Sequence, residues 1–207
     1  MPSSTRPEAP AHRPRGDNRR VQQTREDGFE VDDDGRRLQL DVVHDFLRQA
    51  YWSTGVPQDV VTRALRNSLV IGLYAPDGRQ AGMARAVTDR ATFAWIADVF
   101  VLPQYRGRGL GRFVVEALLE HPDLKGLRRM MLATADAHDL YRRYGFEELA
   151  EPEIYLARLV PPAELYGAND EGAPTGASNT TMPILPTEHR QSHSALPGGI
   201  RLGRFSR

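Results

Sequence analysis

The stretch FAWIADVFVLPQYRGRGLGRFVVEALLE, residues 93–120, passes from a strand through a glycine loop into a helix. Phe93–Leu102 is apolar apart from Asp98, rich in β-branched and aromatic residues, and bounded by Pro103, which is the composition of a strand. From Arg112 to Glu120, Val114, Val115, Leu118 and Leu119 recur at the spacing of one helix face. Between the two, Gly107, Gly109 and Gly111 alternate. Alternate glycines let successive backbone N–H groups approach a ligand with no Cβ in the way, and the following helix directs its positive end at the same place. Such a loop suits a pyrophosphate, to which Arg106, Arg108 and Arg112 can add donors. The spacing G-x-G-x-G differs from the G-x-G-x-x-G of dinucleotide folds and lacks the Lys-Ser/Thr ending of a P-loop, so those two cofactor folds are disfavoured. Taken alone, the same residues also describe an ordinary glycine-rich turn.

Working outward, Ser68–Ala75 and Gln80–Thr88 read as two strands of a hairpin joined by Pro76-Asp77-Gly78. Phe29–Asp32 is a short strand, and Asp41 is placed to cap a helix whose Val42, Val43, Phe46, Leu47 and Ala50 share one face. A second helix follows Pro57. Downstream, Met130–Thr134 reads as a buried strand, Asp136–Tyr144 as a short helix stopped by Gly145, and Ile154–Leu159 as a last strand. The sum is one α/β domain of the α+β kind over residues 29–160.

The chain has 207 residues, 40% of them apolar, which suits one domain with long tails. Lys plus Arg equals Asp plus Glu, 27 against 27, so net charge argues for no particular partner. Lys125 is the only lysine. With no cysteine, a disulfide framework, a thiolate metal site and a cysteine nucleophile are all excluded. Residues 1–28 are polar and proline-containing with no apolar secretory run, and residues 161–207 turn to Gly, Pro, Ser and Thr; both are expected to be disordered tails. The arginines of the first tail alternate with acids and have no aromatic neighbour for base stacking, so nucleic-acid binding is disfavoured. No run reaches the roughly 18 apolar residues of a membrane span, and a cytoplasmic location with no membrane partner is expected.

VFVLPQYRGRGLGRFVVEALL followed by LATADAHDLYRRYGF resembles the GNAT superfamily of acetyl-CoA-dependent N-acetyltransferases. Gln104, Gly107 and Gly109 match its Q/R-x-x-G-x-G/A motif, and Leu140-Tyr141 with Gly145-Phe146 matches its closing signature. Phe46-Leu47, Tyr51-Trp52 and Asn67-Ser68-Leu69 are similar to a group of small bacterial members. The resemblance implies a mixed, mostly antiparallel central sheet flanked by helices and splayed between its fourth and fifth strands, Phe93–Leu102 and Met130–Thr134. Acetyl-CoA would lie in the gap, its pantetheine arm on the backbone of Val99, Phe100 and Val101. Its pyrophosphate would sit on Arg106, Gly107, Arg108, Gly109, Leu110 and Gly111, with Gln104 and Arg112 beside them. Thr134 stands where family members often carry the Asn that contacts the cofactor arm, and a hydroxyl offers fewer hydrogen bonds than an amide.

In that family Tyr141 would be the general acid, and a phenol of pKa about 10 is protonated at neutral pH. Tyr144, just before Gly145, is a nearby rival. The strand residue Asp98 is the candidate base; a structural, hydrogen-bonded carboxylate is the competing reading. Tyr51 and Trp52 are candidates for the acceptor pocket or, equally, for a staple of the first helix. His138 and Asp139 read as solvated helix surface, His44 and Asp45 do not share a face, and Asp32–Gly35 lacks the spaced ligands of a calcium loop, so no metal is expected. The expected activity is direct acetyl transfer from acetyl-CoA to an amine, since no cysteine can carry the acetyl group. The alternative is a non-catalytic acyl-CoA-binding sensor or interaction module. The amine is not encoded in any readable motif, and sheet-edge pairing offers a route to a homodimer that the sequence does not decide.

Overall fold

In a computed structural model that describes residues 20–166, six strands share one sheet in chain order: β1 (Gln22–Thr24), β2 (Glu30–Asp32), β3 (Leu69–Tyr74), β4 (Gln80–Thr88), β5 (Phe93–Val101) and β6 (Arg129–Met131). Neighbours pair antiparallel except β5 and β6, which are parallel. A parallel pair needs a crossover. Here α3 (Leu110–Leu119) makes it.

β3 is buried along its whole length and β4 along most of it, because both faces of the sheet are covered. Ile71, Leu73, Ala84 and Ala86 pack under Leu110, Val114 and Leu118 of α3. The alternate positions Val70 and Met83, with Phe100, pack under Val43, Leu47, Val61 and Leu65 of α1 (Leu40–Leu47) and α2 (Gln58–Arg66). Each fully buried Val or Leu contributes about 2 kcal/mol. The period of two in the strands thus meets the period of 3.6 in the helices on both faces.

The sheet starts earlier than the composition suggested. Gln22–Thr24 is exposed and polar, so it carries no apolar signal, yet it pairs with β2 through Gln22↔Asp32 and Thr24↔Glu30. Arg20 donates to Asp32 at 3.1 and 2.5 Å, and the Val21 N–H donates to Asp33 at 3.1 Å. Residues 20–28, assigned to a tail from the sequence, therefore belong to the fold. The expected tail segments 1–19 and 167–207 lie outside the described residues.

Three further expectations change. α1 begins at Leu40 with Gln39 at its cap position, and Asp41 sits in its first turn, where its charge suits the helix dipole. Gln39 exchanges two 3.1 Å hydrogen bonds with Gln80, backbone to side chain each way. The strand expected at Ile154–Leu159 does not form: a 3-10 turn covers Pro152–Ile154, and Leu156 is 98% exposed. An alternating pattern makes a strand only where a sheet edge accepts it, and β6 at that edge is three residues long. α5 (Pro162–Tyr166) lies in the segment expected to be tail. The helix before Gly145 is α4 (His138–Arg142), closed by Gly145 at φ 80°. Among the described residues no helix is long and apolar enough to cross a membrane.

Candidate active site

β5 changes character halfway. Met83 of β4 pairs with Phe100, but Arg85 pairs with Ala97, so one residue of β4 faces two of β5. This bulge puts Asp98 at φ 48°, a left-handed conformation that Asp tolerates better than most residues. Two neighbours hold it there: Arg85 donates to Asp98 Oδ2 at 2.5 Å and is itself steadied by Ser68 Oγ at 3.0 Å, while Trp52 Nε1 donates to Asp98 Oδ1 at 3.1 Å.

Pairing with β6 covers only Phe93–Trp95. Beyond that point β6 has ended, at Met131, and among the described residues β5 runs on without a strand on that side. The Leu102 N–H bonds to Ala81 on the β4 side at 2.8 Å, so alternation turns the N–H and C=O of Val101 and Val99 the other way, into the gap. Arg106 Nε donates to the Val101 carbonyl at 2.9 Å, which shows the direction directly. Phe100 differs: its backbone faces β4 and its ring stacks on Phe46 at 3.9 Å. A groove of about 960 Å³ follows, with Phe46, Tyr51, Trp52, Val99–Leu102, Arg106 and Asp136 on its walls. That volume suits a cofactor arm together with a small acceptor.

At the groove's end Pro103–Tyr105 turns once, and Gly107 and Gly109 follow at φ 77° and 72°. Gly109 occupies the cap position of α3 and offers no side-chain cap, so the first N–H groups of that helix have no intrahelical partner. A Cβ on Gly107 or Gly111 would meet nothing within 4 Å. The loop is therefore an open cradle of N–H groups at the positive end of a ten-residue helix.

Residues 39–146 match the model of the acetyltransferase (GNAT) family. The chain belongs to that family. It is 32% identical over 144 residues to a Gibberella zeae protein whose name places it among the acetyltransferases, spanning 58% of this chain and 80% of the relative. A crystal structure from Xanthomonas campestris, assigned to the GNAT family, is 45% identical with a TM-score of 0.64, covering 67% of this chain and 96% of that one. A mouse thialysine N-epsilon-acetyltransferase is 34% identical over 67 residues, 30% of this chain and 39% of its own length.

This GNAT chain places Tyr141 on α4, buried with 7% of the residue exposed and its ring edge-on to Phe146 at 5.8 Å. Burial pushes its hydroxyl up to about 12, with Asp136 and Tyr51 nearby adding to the rise. Tyr51 and Asp136 line the groove, whereas Tyr141 is not among its lining residues. Tyr144 is engaged elsewhere, its hydroxyl donating to the Arg112 carbonyl at 3.4 Å. Thr134 Oγ1 accepts the Ala137 N–H at 3.0 Å and so braces the turn into α4. Gln104 is exposed in the turn before the loop, and Arg112 approaches Glu116 along α3 at 3.8 Å. His138 and Asp139 lie at the start of α4, where Asp139 pairs with Arg142 at 3.1 Å. From the sequence, Asp136 and Phe46 read as parts of helices and Arg85 as part of a strand; none reads there as a site residue. Asp136 had a signal in its place just past the carboxyl end of β6, where ligands of open α/β sheets collect.

Proposed function

We propose that this acetyltransferase moves the acetyl group of acetyl-CoA to an amine nitrogen by direct attack, with both substrates bound together. The observation that carries the reading is the continuity of two N–H arrays: the free edge of β5 at Val99 and Val101, and the open loop at Gly107–Gly111. An extended amide-bearing arm ending in a pyrophosphate matches both. On this reading Arg106 releases the Val101 carbonyl to the arm and turns to the phosphates, while Arg108 and Arg112 stand near as further donors. The Val99 N–H donates to the thioester oxygen as negative charge develops on it.

Tyr141 returns a proton to the departing sulfur. With its hydroxyl at about 12 and a free thiol near 8.5, that transfer is uphill by about 5 kcal/mol. The same burial disfavours the thiolate and narrows the gap. The acceptor must shed a proton as well, because an alkyl ammonium of pKa about 10.4 leaves under about 0.1% neutral amine at pH 7. Asp98 is the proposed acceptor, through a water exchanged for the Trp52 N–H at Oδ1. A second reading of Asp98 rests on its occupied oxygens: as an anchor it fixes Trp52 and the bulge through bonds already made. Tyr51 and Trp52, exposed beside the groove, would contact the amine. The mouse relative is named for acetylating an N-epsilon amine, and an amine is the acceptor class proposed here.

Calorimetric titration with acetyl-CoA, followed in the same sample by an amine panel scored for free CoA, tests the proposal. Binding with release is expected. Binding without release across alkyl, aryl and peptide amines would favour a non-catalytic acyl-CoA sensor, and no binding by the folded chain would overturn the reading.

A further inference from the structure

The turn between β1 and β2 reaches the glycine loop, a contact that no sequence motif announces. Two backbone bonds close this turn, Arg25 N–H to the Phe29 carbonyl at 2.8 Å and Gly28 N–H to the Arg25 carbonyl at 2.9 Å. From it, Arg25 Nη1 donates to the Arg108 carbonyl at 3.0 Å, while Nη2 is held by Asp27 at 3.0 Å. The guanidinium lies 5.7 Å from the Phe113 ring in the first turn of α3. Phe29 completes the attachment: its buried ring meets Tyr105 edge-on at 5.7 Å, with the Arg108 guanidinium 5.8 Å away.

A trans peptide points its C=O and its N–H in opposite directions. Fixing the Arg108 carbonyl on the outer side of the loop therefore fixes the Gly109 N–H toward the other side. That N–H makes no backbone hydrogen bond among the described residues. With Gly109 at φ 72°, a conformation with few restraints of its own, an external tether decides which way this peptide faces. We infer that Arg25 is a positioning residue of the cofactor site, holding the 108–109 peptide so that its N–H is presented to the pyrophosphate. The inference rests on the acetyl-CoA reading given above. It makes the β1–β2 hairpin part of the binding machinery, and it assigns Arg25 a role that acts through the loop backbone.

The test uses the full chain and two ligands, acetyl-CoA and S-acetylpantetheine, which lacks the pyrophosphate. Arg25→Ala is expected to raise the acetyl-CoA Kd about tenfold, the scale of one well-made charge-assisted bond, while S-acetylpantetheine affinity moves by less than about twofold. Arg25→Lys restores a donor to the Arg108 carbonyl and should recover most of the loss. Undiminished acetyl-CoA binding by Arg25→Ala would overturn the inference alone, and so would an equal loss for both ligands, which would mark a packing role. If Arg25→Ala does not fold, Arg25→Met, which keeps an aliphatic stem and has no donor for the Arg108 carbonyl, carries the same comparison, and equal loss for both ligands again overturns it. Failure of the unsubstituted chain to bind acetyl-CoA would overturn the function reading and this inference with it.

Discussion

Replacing Tyr141 with Phe removes one oxygen and leaves the ring against Phe146, so it separates proton donation from packing. Free-CoA release should fall by about a hundredfold or more, within the usual range for losing a general acid, and acetyl-CoA affinity and Tm should hold. Because the hydroxyl titrates at about 12, the acid form persists far into alkali, and no rate loss from its deprotonation is expected below that range. Asp98→Asn asks a different question at the neighbouring strand. The amide oxygen can still accept from Trp52, but Arg85 loses its charge partner, a cost of about 2 kcal/mol to stability. If Asp98 takes the amine's proton, kcat/KM drops and its acid limb disappears; an unchanged pH profile removes Asp98 from the chemistry and leaves the anchor role. At this scale the sequence disclosed the residues whose type is forced. Gly107 and Gly109 stand at positive φ, where other residues are strained. Arg25 stayed hidden because its partner is 83 residues away and nothing in QTREDG distinguishes a clamp from a solvated arginine.

Among the elements, β3, β4 and β5 were legible because burial on one or both faces leaves an unmistakable apolar pattern. β1 was not: three polar residues are held by backbone pairing and by Arg20 on Asp32, and neither leaves a mark in composition. The missing strand at Ile154–Leu159 is the converse case, an apolar pattern with no edge to join. The β5 bulge also escaped notice, since it depends on the fit of two strands. Gly82 is where that fit is tightest: a Cβ there would stand 2.3 Å from the Phe100 carbonyl oxygen and 3.1 Å from Val101 Cα. Gly82→Ala is expected to cost about 1–3 kcal/mol by overpacking, lowering Tm by several degrees. It should also weaken acetyl-CoA binding, because the displaced residues carry the open edge. A Tm equal to that of the parent would show that β4 and β5 can separate there without penalty.

For the molecule as a whole, the ion pairs around the first strands set an acid limit. Burial raises the Asp32 carboxyl, but hydrogen bonds from Arg20, the Asp34 N–H and Arg37 outweigh it, and the net shift is downward. Asp34 is lowered to about 2, chiefly by the Arg36 side chain and N–H. A depressed folded-state pKa means stability that is present above the unfolded value, about 3.9, and lost as pH falls through the folded one. Tm should therefore be level above about pH 5 and decline steadily below about pH 4. A flat Tm down to pH 2.5 would mean that these pairs add nothing to the fold.

The end of β6 at Met131, short of the β5 bulge, would on the proposed function also divide the labour of selection. Three residues of β5 are closed by the chain itself, and the stretch after the bulge presents main-chain groups to whatever completes the row. Main-chain groups register the spacing of amides along a guest and are blind to its side groups. On the function proposed above, choosing between one acyl donor and another that shares the same arm would fall to the walls beyond the amides, at Phe46 and Phe100. On the same proposal, choosing between amines would fall to Tyr51, Trp52 and Asp136 on the groove wall, and the two preferences could drift independently while the frame that holds them stays the same.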